Sequence, residues 1–94
     1  MSRSPGGKTS ITVTGENESW AVTVADSASS RAYTVSLRDD YFKSLSDGVE
    51  SKASFIRRSF EFLLERESKE SILGSFDLGV ISNYFPEYEK IIRK

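Results

Sequence analysis

The sequence predicts an α+β fold, a three-stranded antiparallel meander followed by two to four helices packed on one of its faces. Three segments before Arg38 alternate apolar and polar residues, and after Asp39 the apolar residues recur at helical spacing. With 94 residues, the chain is expected to form a single domain over residues 10–94. Residues 1–9, rich in Ser and Gly, are expected to form a flexible leader.

Each alternating segment sorts its side chains onto two faces. The segments read SITVTG, SWAVTVAD and RAYTVSL, and short polar stretches join them. One face is mostly Thr, Ser and Ala, whereas the other is apolar and is expected to be covered by helices, since an antiparallel sheet commonly buries one face. The residues of the apolar face are Ile11, Val13, Trp20, Val22, Val24, Tyr33, Val35 and Leu37.

Two helices are predicted after the third strand. Asp39 and Asp40 suit the first turn of a short helix because the helix dipole favours negative charge there, and Asp47–Gly48 is expected to end it. Ser51 is the expected N-cap of a longer helix that reads KASFIRRSFEFLLERES. Apolar residues cover more than half of its circumference, so this helix needs a cover on two sides, from the C-terminal segment or from a partner subunit.

The C-terminal segment carries signals for turns and short helices. Gly74 suits one turn, Asp77 suits the cap of the next, and Pro86 suits the first turn of a last helix that ends in KIIRK. The aromatic stretch YFPEYEK lies in this segment. It is interpreted either as a clasp that closes the core or as a partly exposed docking surface.

The composition excludes several classes of function. The chain has no Cys and no His, and its net charge is −1. Disulfides, zinc sites built from Cys and His, and Ser-His-Asp or Cys-His nucleophiles are therefore excluded. The paired carboxylates fall at helix starts, in a turn and on a polar helix face, so neither an enzyme nor a cofactor is expected. The absence of Cys favours a cytoplasmic protein, and no apolar run predicts a membrane span.

The run YTVSLRDDYFKSL, followed by SKASFIRRS, resembles the ribbon-helix-helix repressors over residues 31–66. The resemblance implies a homodimer in which the strand pairs with its copy and enters the major groove, while the start of the second helix binds phosphate. It also implies a set of candidate DNA-contacting residues: Thr34, Ser36, Arg38, Ser51 and Lys52.

Two features weigh against DNA binding. The net charge of −1 gives the molecule no basic field, and Ala32, at a base-reading position of the strand, has no side-chain hydrogen-bonding group. The added N-terminal hairpin would place the reading strand at the edge of a three-stranded sheet in each subunit.

The stretch SFEFLLERESKESILGSFDLGVISNYFPEYEKII resembles a family of short, uncharacterised prokaryotic proteins that share the pattern FxFLLER…ESIL…FDL..I..YFPEYE. This resemblance implies no activity. The favoured hypothesis is a small non-enzymatic interaction module that binds a protein partner, with Tyr84, Phe85 and Tyr88 as the candidate partner-binding residues. The alternative is a dimeric, ribbon-helix-helix-like DNA-binding transcriptional regulator.

Overall fold

A computed structural model describes residues 9–46 and 50–93. Its sheet has four strands in the spatial order β1-β2-β3-β4. The first three are antiparallel, which confirms the predicted meander, and the fourth runs parallel to β3. The strands are β1 (Ser10–Glu16), β2 (Ser19–Ala25), β3 (Ser30–Ser36) and β4 (Ser75–Asp77).

The helices confirm the α+β class, with four α-helices in the described part of the chain. A 3₁₀ turn, Leu78–Val80, leads directly into the third of them. The four are α1 (Asp39–Leu45), α2 (Lys52–Arg66), α3 (Ile81–Tyr84) and α4 (Tyr88–Ile92).

A two-residue turn joins β1 to β2 and depends on its local sequence. Asn17 has a φ of 57°, in the left-handed region that Asn tolerates better than most residues. Gly15 has a φ of 149°, and a Cβ there would lie 2.5 Å from the carbonyl oxygen of Ser19. Only glycine fits this position, because both the backbone angle and the close approach of β2 disfavour a side chain.

The apolar face of the sheet forms one side of the core, as predicted. Val22, Val35 and Leu37 are almost completely buried, whereas Val13 and Trp20 are partly buried at its margin. Helix α2 covers this face, and the rings of Tyr33 and Phe60 lie 5.2 Å apart between centroids, close enough for a favourable aromatic contact. No helix among the described residues covers the Thr-rich face, where Thr12, Thr23 and Thr34 are exposed.

The predicted starts of α1 and α2 are confirmed, whereas α4 begins at Tyr88, so Pro86 precedes the last helix rather than lying in its first turn. Helix α1 begins at Asp39, with acidic residues in its first turn, and ends at Leu45. The expected stop at Asp47–Gly48 lies outside the described residues, as does the expected leader except for its last residue, Thr9. Ser51 caps α2, since its Oγ accepts a hydrogen bond of 3.1 Å from the backbone N–H of Ser54.

The second cover of α2 comes from the same chain. Tyr88 and Ile92 of α4 are buried, and the rings of Tyr88 and Phe62 lie 5.2 Å apart. Arg58 of α2 donates a hydrogen bond of 2.9 Å to the carbonyl oxygen of Ile92. Helix α2 therefore lies between the sheet and the C-terminal segment, so its wide apolar arc does not require a partner subunit.

The expected position of β3 at the edge of the sheet is wrong. Strand β4 pairs with it, and Val35 of β3 lies beside Phe76 of β4. The physical reason is Phe76, whose ring packs 6.0 Å from that of Phe60 and draws this segment against the sheet. A strand of three residues is too short to show an alternating pattern.

Candidate protein-binding groove

An apolar groove opens between α2, the loop that follows it and the C-terminal segment. Its volume is about 250 Å³. Apart from one carboxylate and one serine hydroxyl, its lining is apolar or aromatic. The lining residues are Leu63, Glu67, Ser71, Ile72, Leu73, Phe76, Val80, Ile81, Tyr84 and Phe85.

Two large side chains of this lining are unusually exposed. Leu73, in the loop before β4, is 52% exposed, and Tyr84, at the end of α3, is 65% exposed. A scattered apolar side chain on a surface means little, but exposed apolar groups that share one concave surface are typical of an interaction site. Leu73 and Tyr84 therefore mark this groove as the candidate site.

The core supports the groove from below. Ile72 and Ile81 are buried, and Phe76 packs on Phe60 of α2. Phe85 is partly buried and makes an edge-to-face contact with Phe62, with 5.8 Å between ring centroids. Because these groups belong to the packed core, the groove is already formed without a partner, which lowers the entropic cost of binding.

The three predicted partner-binding residues have different positions. Tyr84 is exposed on the groove, and Phe85, which is partly buried, also lines it. The prediction that Tyr88 contacts a partner is wrong, because this residue is fully buried and its hydroxyl lies 2.7 Å from Oγ of Ser59. Burial raises the pKa of Tyr88 to about 12. Tyr88 therefore acts as the clasp that closes the core.

Thr34 and Ser36, the candidate base-reading residues, lie on the helix-free face of the sheet. Both belong to the part of β3 that pairs with β4, through the Thr34–Ser75 and Ser36–Asp77 positions. The N–H of Thr34 donates to the carbonyl oxygen of Gly74 at 2.9 Å. This segment of β3 thus has a strand on both sides, and a second copy cannot pair with it in the fold described.

The other candidate DNA-contacting residues have contacts within the chain. Lys52 donates a hydrogen bond of 2.9 Å to the carbonyl oxygen of Asn17. It also donates to the carboxylate of Asp39, and this hydrogen bond is the main cause that lowers the pKa of Asp39. The Ser51 hydroxyl caps α2. Arg38 is exposed, 4.0 Å from a carboxylate oxygen of Asp40.

The helix-free face of the described strands carries no cation. Its outward positions hold two carboxylates, those of Glu16 and Asp77, and otherwise Ser, Thr and Ala. Affinity for nucleic acid depends on neutralising phosphates with Lys and Arg. This face therefore lacks the charge that a nucleic-acid interface needs.

Comparison with protein-family models, with curated proteins and with solved structures found no match. Within residues 9–46 and 50–93, no helix has the length and apolar character needed to cross a membrane. In the same ranges, no three His, Cys, Asp or Glu side chains are grouped so that they could hold a metal ion. The groove offers mainly apolar and aromatic contact, with the Glu67 carboxylate, the Ser71 hydroxyl and the Tyr84 phenol as its polar groups.

Sequence reasoning identified one end of this groove and missed the rest. Leu73 and Val80 both line it, yet neither was among the candidate partner-binding residues. Exposure of Leu73 depends on the course of the loop after α2, and no periodic pattern reports on a loop. The neighbouring Gly74 was the only local signal that the chain turns there.

Proposed function

We propose that this protein is a small non-enzymatic interaction module that binds a protein partner through the apolar groove. The observation that supports the proposal is the pairing of exposed Leu73 and Tyr84 on one preformed concave surface. Such a surface suits the insertion of one or two apolar side chains from a partner, because burial of anchor residues in a pocket supplies most of the energy of many interfaces.

The size of the groove favours side chains over a free small molecule. Its volume of about 250 Å³ is below the range of roughly 300–1,000 Å³ that ligand pockets usually have. It is also open to solvent, since Leu73 and Tyr84 in its lining are both more than half exposed. A small apolar ligand would stay partly exposed there, whereas a protein partner would cover the opening with its own surface.

The groove lacks the groups of a catalytic site. Its polar groups are the Glu67 carboxylate, the Ser71 hydroxyl and the Tyr84 phenol. Ser71 has no imidazole base, since the chain contains no His. The proposed role is therefore recognition by contact rather than chemistry.

The alternative, a dimeric DNA-binding regulator, has less support. The strand that would read DNA is paired with β4, and its outward face carries no Lys or Arg in the described strands. An experiment therefore needs to test whether DNA binds to a different surface of the protein.

Site-specific crosslinking in cells tests the groove. A photo-reactive amino acid replaces Leu73 in one variant and Thr23, exposed on the helix-free face, in a matched control. We expect irradiation to link position 73, but not position 23, to a defined protein. Tyr84→Asp in the same background should abolish that adduct, because a buried charge would be placed in the interface.

The crosslinked protein is then purified and titrated against the unmodified chain. Binding that Tyr84→Asp weakens by tenfold or more, on the order of 1.4 kcal/mol, supports the proposal. Equal labelling from positions 23 and 73 would contradict it. A salt-sensitive shift of duplex DNA, unaffected by Tyr84→Asp, would favour the alternative instead.

A further inference from the structure

The outer edge of β1 offers a second surface, at the opposite end of the sheet from the groove. No strand among the described residues pairs with this edge, which runs for the seven residues Ser10–Glu16. Natural proteins usually protect such an edge with Lys, Pro or a bulge. Strand β1 has neither Lys nor Pro, and its only charged residue, Glu16, is the last one.

One contact shows which backbone groups of β1 point away from β2. Arg57 of α2 donates a hydrogen bond of 2.7 Å to the carbonyl oxygen of Ile11. Because backbone groups alternate in direction along a strand, the N–H and C=O groups of Ile11, Val13 and Gly15 share that outward side. Arg57 takes up one of the two lone pairs of the Ile11 carbonyl oxygen, which leaves the second for another antiparallel strand, together with the outward groups of Val13 and Gly15.

We infer that β1 pairs with β1 of a second copy of this chain, antiparallel and centred on Val13, to form a continuous eight-stranded sheet across a two-fold axis. Only this register pairs all seven residues of both strands. The two Val13 residues exchange their N–H and C=O bonds directly. Ile11 lies opposite Gly15 of the second copy, and Thr12 lies opposite Thr14.

The sequence of β1 is complementary to itself in this register. Thr12 and Thr14, both β-branched, form two symmetric cross-strand pairs on the helix-free face. The only charge, Glu16, lies opposite uncharged Ser10, so no like charges are directly opposed. A strand from an unrelated protein would have no reason to match this pattern, whereas a second copy matches it by symmetry.

Partly exposed apolar groups beside the edge support the same occupant. Val13 is only partly buried, and so is Leu64 of α2, which lines a depression next to β1 together with Thr9, Ile11, Arg57, Glu61 and Glu65. A second copy would remove more of this apolar surface from water. Dimerisation here leaves the groove of each copy open, because that groove is built beside β4.

Charge pairs introduced at positions 12 and 14 test the register. Both side chains are exposed, and in the dimer each lies opposite the other position of the second copy. Thr12→Lys with Thr14→Lys, and Thr12→Glu with Thr14→Glu, oppose like charges in two symmetric pairs. Thr12→Lys with Thr14→Glu opposes unlike charges. Thr23→Lys, on the same face but in the central strand β2, is the matched control.

Sedimentation of the full chain is measured from about 1 µM to about 1 mM, a range in which even a weak dimer forms. We expect the wild-type chain and Thr23→Lys to dimerise alike. Both like-charge variants should weaken the dimer by about three- to thirty-fold, whereas the unlike-charge variant should bind as tightly or more tightly. Circular dichroism checks that each variant is folded.

Two results would overturn the inference. One is a wild-type chain that stays monomeric over the whole concentration range. The other is a dimer whose dissociation constant is the same in all three charge variants, which would place the interface elsewhere. Neither result bears on the groove, which is tested by crosslinking at position 73.

Discussion

The Ser36 hydroxyl donates a hydrogen bond of 2.8 Å to Oδ2 of Asp77, across β3 and β4. The other carboxylate oxygen of Asp77 accepts the N–H of Gly79, also at 2.8 Å, at the start of the 3₁₀ turn. One side chain therefore joins the fourth strand to the sheet and begins the helical segment that forms a wall of the groove.

Asp77→Ala should destabilise the protein by about 1–2 kcal/mol, because it removes a cap and a side-chain acceptor together. Ser36→Ala removes only one of the two bonds and should cost about 0.5–1 kcal/mol. Urea denaturation measures both free energies of unfolding. Thr34→Ala, at an exposed neighbouring position, is the control. A loss in Asp77→Ala no larger than in Thr34→Ala would contradict the role given to this carboxylate.

The raised pKa of Tyr88 predicts that the protein loses stability in alkaline solution. This pKa is raised from about 10 in the unfolded chain to about 12 in the folded protein, mainly by burial. The unfolded chain therefore loses this proton first, so the stabilisation is complete below pH 10 and is lost as the pH rises from about 10 to about 12.

Urea denaturation across this pH window measures the effect. In Tyr88→Phe the free energy of unfolding should fall less steeply with pH, although the variant is less stable at neutral pH because the Ser59 hydroxyl loses a partner. Thr23→Ala, at an exposed position without an ionisable side chain, should keep the slope of the wild-type protein. Equal slopes in Tyr88→Phe and the wild type would show that ionisation of Tyr88 is not linked to folding.

The sequence alone predicted the elements that have a period. Three alternating strands and the Ser51 cap of α2 were found because their signals are local. Strand β4 was missed because three residues carry no period, and its position depends on a contact between Phe76 and Phe60, which are distant in sequence.

Prediction of the candidate site from the sequence meets the same limit, because exposure depends on tertiary contacts. In the stretch YFPEYEK, Tyr84 is exposed while Tyr88, four residues later, is completely buried. Aromatic residues suit both environments, so their identity does not report which side of a short helix packs on α2. The distinction depends on tertiary contacts such as the one between Tyr88 and Ser59.

Two glycines should respond oppositely to the same substitution. Gly15→Ala places a Cβ 2.5 Å from a carbonyl oxygen in a backbone conformation with positive φ, so we expect a loss of about 2–3 kcal/mol. Gly74→Ala meets no atom within 4 Å and should change stability by no more than about 1 kcal/mol, in the stabilising direction. Thermal and urea denaturation of both variants measure these changes in stability. A tolerated Gly15→Ala would mean that the β1–β2 turn differs from the one described.

The last helix offers a comparison between two adjacent residues. Ile92 is 2% exposed, whereas Ile91 is 53% exposed. Ile92→Ala should cost about 2–4 kcal/mol because it leaves a cavity in the contact of α4 with the core, while Ile91→Ala should stay within about 0.5 kcal/mol. Urea denaturation of the two variants measures this difference. Similar small losses in both would show that α4 does not form the second cover of α2, and the wide apolar arc of α2 would then require a partner subunit.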